Sequence, residues 1–124
     1  MQVSNVYRPD LLTCQADDPL SAVAQKMVDE QVGALAVVGD GGQILGIISE
    51  RDVTRAVARE TDPRTVTASQ YATKQLEVAT LNDDTYRIAQ RMLEAGVRHL
   101  PVVDDNELVG MVSMRDLLAV ETWG

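Results

Sequence analysis

The sequence predicts an α+β fold made of one unit of about 50 residues used twice in tandem. Three observations carry that prediction. The chain repeats itself in register, each repeat alternates helical with strand periodicity, and the composition suits an ordinary water-soluble core.

The repeat is read by laying Thr13 onward over Val78 onward, 65 residues further on. Asp18 then falls on Asp83, Ala24 on Ala89, Gln25 on Gln90 and Met27 on Met92. Val32 meets Val97, Leu35 meets Leu100, and Val37-Val38 meets Val102-Val103. After one deletion near Gly42 the offset becomes 64, and Gly46, Ser49, Arg51 and Asp52 meet Gly110, Ser113, Arg115 and Asp116. A single gap placed in a turn points to duplication.

Within each repeat the elements follow in the same order. Asp18 is a good N-cap with Pro19 at the first helical position, where a missing N–H costs nothing. Leu20, Val23, Ala24, Met27 and Val28 continue with helical spacing. Asp83 is expected to open the partner helix, whose apolar stripe is Ile88, Ala89, Met92 and Leu93. Two strands come next, Ala34 to Val38 and Ile44 to Ile48, joined by Gly39-Asp40-Gly41-Gly42, residues that accept positive φ. Their counterparts are Leu100 to Val103 and Leu108 to Val112, joined at Asp104-Asp105-Asn106. A further helix begins after Ser49 and after Ser113. Residues 1–60 are expected to form the first unit with the N-terminal segment, 61–74 a linker with a helical turn within 66–72, and 75–124 the second unit. A lone unit of this size has a poor core, so two are expected to pack together.

Composition bounds the function. Among 124 residues, 45% are apolar and 24% charged, and the formal net charge is −8. That field repels polyanions, so nucleic acid and anionic membranes are poor partners, although a small anion held by local groups is compatible with it. Tyr7, Tyr71, Tyr86 and Trp123 are the whole aromatic complement, leaving the core to Val, Leu, Ile, Met and Ala. Cys14 and His99 are the single cysteine and the single histidine, so neither an internal disulfide nor a Cys/His metal cage can form. Cys14 reads as a small buried hydrophobe and His99 as a packing or hydrogen-bonding residue. No residue falls into a nucleophile motif. No apolar run approaches the roughly 18 residues of a membrane span and Met1 to Asp10 lack a leader pattern, so a reducing, cytoplasmic setting is expected. The C-terminal helix, with Leu117, Leu118, Val120 and Trp123, is apolar enough to cover the core or a partner.

The densest coincidence is Gly46-Ile47-Ile48-Ser49-Glu50-Arg51-Asp52 over Gly110-Met111-Val112-Ser113-Met114-Arg115-Asp116. Taken once, a serine followed three residues later by an acid at a helix start is a capping box, and the glycine relieves crowding. Taken twice, it also suits a nucleotide. A helix N-terminus offers N–H groups and a positive dipole end to phosphate. Ser49 or Ser113 adds a hydroxyl, Asp52 or Asp116 can accept both hydroxyls of a ribose, and Gly46 and Gly110 would let a flat base approach the backbone.

This G-h-h-S-x-x-D junction, together with Gly96-Val97-Arg98-His99-Leu100-Pro101-Val102-Val103 and its echo Gln31-Val32-Gly33-Ala34-Leu35-Ala36-Val37-Val38, resembles the CBS-domain pair, the tandem module named after cystathionine β-synthase. The resemblance runs from about Ser4 to Val120. It implies two β-α-β-β-α units packed with pseudo-twofold symmetry around two clefts for AMP, ADP or ATP, less often S-adenosylmethionine or NAD. Carried over, Asp52 and Asp116 hold ribose, and Ser49 and Ser113 lie near ribose or phosphate. The base lies between Thr13 or Val78 and the strands at Ala34, Leu35 and Ala36 or His99, Leu100 and Pro101. Arg51, Arg98 and Arg115 are available to phosphates without assignment to one cleft. The first unit departs by carrying Ala36 for Pro101 and Gly33-Ala34 for Arg98-His99, which makes its cleft less basic. The expectation is a stand-alone, non-catalytic, homodimeric regulatory module for an adenosyl ligand, its dimer seam built from Leu20, Val23 and Met27 with Ile88, Met92 and Leu93. The rival is a protein-interaction module with vestigial clefts.

Overall fold

The computed structural model of the chain describes residues 1–10, 12–74 and 77–123, with side chains as far as residue 120 in the last helix. The expected apolar contribution of the Trp123 side chain, and the expected start of the second unit at residue 75, lie outside the described residues. The chain divides into two compact units, Leu12–Leu76 on one hand and Met1–Leu11 with Glu77–Gly124 on the other.

In the unit of residues 12–76, β1 (Thr13–Gln15) leads into α1 (Leu20–Glu30), then β2 (Ala34–Val38), β3 (Ile44–Ser49), α2 (Glu50–Ala58) and the short α3 (Ala68–Tyr71). The sheet order is β1-β2-β3, with β1 parallel and β3 antiparallel to β2. All five residues of β2 are buried, which is why Ala34-Leu35-Ala36-Val37-Val38 is apolar throughout and does not alternate. Leu20, Val23 and Met27 of α1 close over Cys14, Leu35, Val37 and Ile48. Burial pushes the Cys14 thiol up to about 11, because a thiolate there would lose its hydration.

The other unit repeats this plan with β4 (Ala79–Thr80), α4 (Thr85–Ala95), β5 (His99–Asp104), β6 (Glu107–Ser113) and α5 (Met114–Trp123). Its sheet runs β4-β5-β6. Asp105 and Asn106 both take positive φ in the two-residue hairpin turn, where Asp and Asn are among the residues that tolerate it. Ile88, Ala89 and Met92 of α4 pack on Leu100, Val102, Val112 and Leu117.

Several expectations are corrected. The segment of residues 1–8 belongs with the second repeat: the fully buried Val3 sits in that core. Its amide donates to Asp83 O at 2.9 Å and that of Ser4 to Leu81 O at 2.9 Å. Residues 61–74 are no free linker, since they complete the first unit in the same way. Ala68 is fully buried there, Ala68 N–H reaches Asp18 O at 2.8 Å and Ser69 N–H reaches Ala16 O at 3.0 Å. Each repeat is thus completed by the stretch that precedes the other repeat in the chain.

The same stretches replace the expected helix caps. The N-cap of α1 is Pro19, not Asp18, and that of α4 is Asp84, not Asp83. Asp18 and Asp83 instead close the turns after β1 and β4, accepting Gln15 N–H and Thr80 N–H at 2.8 Å each. The free N–H groups that open the helices go to the crossing segments: Leu20 N–H to Val66 O and Ser21 N–H to Pro63 O in one unit, Thr85 N–H to Met1 O in the other. These are donors a helix cannot satisfy itself.

Gly46 and Gly110 are likewise reassigned. Thr73 bridges Ile47 through both backbone hydrogen bonds at 2.8 and 2.9 Å, and Arg8 bridges Met111 at 2.8 and 3.0 Å. A Cβ on Gly46 would lie 2.5 Å from Thr73 O, and one on Gly110 would collide with Arg8 O and the Tyr7 ring. The space once expected to admit a base is filled by backbone. The apolar stripes are corrected too: Leu20, Val23, Met27, Ile88 and Met92 are buried within their own units, so they are core and no dimer seam.

Substituting Gly46→Ala or Gly110→Ala should cost about 1–3 kcal/mol, the scale of overpacking against groups that cannot retreat. Gly41→Ala, whose Cβ would meet only the flexible Gln43 side chain, serves as control. Denaturant unfolding of the three variants measures the difference.

Candidate functional site

The candidate site is the strand-helix junction that occurs once in each unit. Antiparallel pairing sets Ala34 opposite Ser49, Leu35 opposite Ile48 and Ala36 opposite Ile47, while β1 places Thr13 beside Ala36. In the other unit His99 stands opposite Ser113, Leu100 opposite Val112 and Pro101 opposite Met111. Val78 precedes Ala79, which pairs with Val102. Within each unit these pairings set the start of the central strand beside the serine where the last strand ends and a helix begins. The Leu35 and Leu100 side chains point into the cores of their units.

The helices start under constraint. Glu50 N–H donates to Gly33 O at 3.0 Å and Met114 N–H to Arg98 O at 2.8 Å, so the loop before β2 or β5 holds the helix end in place. Ser49 and Asp52 close a capping box. Asp52 Oδ2 accepts Ser49 N–H at 2.9 Å and Ser49 Oγ at 3.1 Å, which relieves a backbone donor that α2 leaves open. Asp52 Oδ1 pairs with Arg55 Nη2 at 3.1 Å. The Arg55 guanidinium also donates to Tyr71 O at 3.2 Å, and it and Arg59 lie 5.8 and 5.9 Å from the Tyr71 ring centre, within reach of a cation–π attraction.

At the second junction Ser113 Oγ accepts Asp116 N–H at 3.1 Å. The Asp116 carboxylate turns to Arg8 Nε at 3.2 Å. This hydrogen bond and the carboxylate charge hold the Arg8 guanidinium above its ordinary pKa. The Asp52 side chain is 4% exposed and that of Asp116 21%, so the two acids sit in different dielectric surroundings although their motifs match.

Arg51, Arg98 and Arg115 are all exposed, and none forms an ion pair among the described residues. Thr13 O accepts from Lys26 Nζ. Val78 O accepts from Arg91 Nη2 at 3.3 Å, and Arg91 also pairs with Glu77 at 3.6 Å. Lys26, Arg91, Arg8 and Arg55 are the polar residues that sequence reasoning missed. Lys26 and Arg91 carried a usable signal, since they are cations at the same place in both repeats. Arg8 and Arg55 occupy unlike positions and left none. No three His, Cys, Asp or Glu side chains come together as a cation cage among the described residues, and no helix among them is long and apolar enough to cross a membrane.

The chain is similar to known proteins over nearly its whole length. The family model of the CBS domain matches residues 3–59 and 68–121. A protein of Methanopyrus kandleri is 30% identical over 99% of the chain, which spans 64% of that protein. A homoserine O-acetyltransferase of Methanococcus vannielii is 32% identical over 93% of the chain, which spans 24% of it. The chain therefore covers less than two thirds of these curated relatives. Among solved structures, a protein with CBS domains from Burkholderia ambifaria superposes with a TM-score of 0.90 at 27% identity, over 98% of this chain and 93% of that one. A CBS domain protein from Pyrobaculum aerophilum complexed with AMP superposes with a TM-score of 0.86 at 26% identity, over 98% and 99%.

Removing each acid should separate the two environments. Asp52→Ala strips a buried cap and leaves Arg55 without its carboxylate, an expected loss of about 1–3 kcal/mol. Asp116→Ala breaks an exposed pair, with an expected loss of at most about 1 kcal/mol. Equal losses in denaturant unfolding would contradict this description of the junctions.

Proposed function

Because the chain belongs to the CBS-domain family and carries that domain twice, we propose that it is a regulatory module that binds an adenine nucleotide and carries out no reaction itself. The single observation that supports this reading is the strand-helix junction built alike in both units. At each, a serine closes the strand, the helix N-terminus presents a positive dipole end, and an aspartate stands one turn in. Such an end suits a phosphate, and a carboxylate so placed suits a ribose diol. The relative complexed with AMP makes an adenosyl ligand the natural first test.

In this reading Asp116 and Asp52 take ribose, and Ser113 and Ser49 lie beside ribose or phosphate. The backbone at Val78 with His99 to Pro101, and at Thr13 with Ala34 to Ala36, flanks the base. Arg51, Arg98 and Arg115 are the cations open to phosphate. The working form is inferred to be a homodimer through an apolar surface other than the buried stripes. Val28 and Leu93 hold the same position in the two repeats and are each 71% exposed. A twofold dimer is the commonest assembly of a soluble protein.

AMP, ADP or ATP should raise the melting temperature, since a ligand at 100 times its dissociation constant adds about 2.7 kcal/mol, worth several degrees in a chain of this size. Guanosine nucleotides and inorganic phosphate should raise it less. Light scattering on the same samples should read about twice the 13.5 kDa of one chain. A panel that also includes NAD and S-adenosylmethionine and leaves the midpoint unmoved would favour the interaction-module reading instead.

A further inference from the structure

The two junctions hold their acids differently, and the difference points to Arg8. Asp52 is sealed: Oδ2 takes the Ser49 N–H and hydroxyl, Oδ1 takes Arg55, and Arg55 is itself fixed by the Tyr71 carbonyl. Where the repeat would place that arginine in the second unit, α5 carries Ala119. The guanidinium there comes instead from Arg8 in the crossing segment, which binds Asp116 while its own side chain stays 60% exposed.

Resting on the reading that Asp116 accepts ribose, we propose that Arg8 is a selectivity residue of that site, which pairs with the carboxylate and transfers to the ligand's phosphate when ribose displaces it.

The chemistry runs in a fixed sense. A ribose diol needs both oxygens of the Asp116 carboxylate, and Arg8 Nε now engages one of them, Oδ2. An ion pair this exposed is held weakly against water and salt, so its displacement asks little of the ligand. The same exchange at Asp52 asks more of a ligand, whose ribose must replace the bonds of a buried carboxylate, because an unpaired ion there is costly. The displaced guanidinium is a planar fork that seeks an acceptor with two oxygens, and a phosphate provides one. No backbone movement is required, because Arg8 remains bonded to Met111 through its own N–H and C=O. A nucleoside without phosphate must evict Arg8 and offers it nothing in return. The second-unit site should therefore favour phosphorylated adenosyl ligands, through a residue that lies 108 positions from the acid it guards.

Calorimetric titration of the whole chain with AMP and with adenosine tests this, for wild type, Arg8→Ala and Arg8→Lys. The wild type should prefer AMP. In Arg8→Ala adenosine should bind several-fold more tightly, and the preference for AMP should fall by roughly tenfold, the scale of one lost charge-assisted hydrogen bond. Arg8→Lys, which keeps the charge without the fork, should retain part of the preference. An AMP-to-adenosine ratio unchanged in Arg8→Ala overturns the proposal while leaving nucleotide binding intact. No binding of either compound by the wild type or the variants overturns the nucleotide reading, and this proposal with it.

Discussion

The antiparallel contact of a crossing segment with a strand that has a glycine at the point of approach is the constraint on which the rest of the structure depends. Thr73 can lie on Ile47, and Arg8 on Met111, because Gly46 and Gly110 leave no side chain in the way. Once the segment is seated, its upstream residue, Ala68 or Val3, completes a core that the repeat alone leaves open. Its carbonyls then satisfy the first donors of α1 or α4. Helix capping, core closure and the placement of the strand-helix junction are three consequences of one contact. Buried backbone groups left unpaired would be expensive, and that expense makes the crossing segment part of the unit it crosses to.

The same contact explains why the two junctions differ. Each crossing segment must be tied down near the acid of the motif, and the two repeats use an arginine from opposite sides to do it. In one unit the helix supplies Arg55 and the segment supplies the Tyr71 carbonyl and ring. In the other the segment supplies Arg8 and the helix offers Ala119. The first solution buries the carboxylate and the second leaves it partly in water. Duplication set the motif twice, and the placement of a single guanidinium then gave the two copies different electrostatics.

Much of this was legible in the sequence. Ala34 to Val38 reads as a strand and is one, and the repeat, at an offset of 64 residues past its single gap, locates both junctions before any coordinate is known. The misreadings share a cause: local patterns identify a polar or apolar residue without naming its partner. Asp18 beside Pro19 looks like a helix cap, yet its carboxylate is spent three residues back on Gln15. Met27 and Met92 show a helical stripe, but periodicity reveals only that a face is buried, not what covers it. The crossing segments escaped notice because Val3-Ser4-Asn5 and Ala68-Ser69-Gln70 share one identical residue, Ser4 with Ser69. Their likeness lies in backbone hydrogen bonds, which any side chain can make.

Residue-resolved hydrogen exchange by NMR tests the crossing contact most directly. The amides of Arg8, Thr73, Ile47 and Met111 are all donors in the two bridges. They should exchange as slowly as those of Leu35 and Ile48 in the sheet, opening only when their unit unfolds. Exchange of Arg8 and Thr73 at the rate of an open, solvated segment, while the sheets stay protected, would contradict the account.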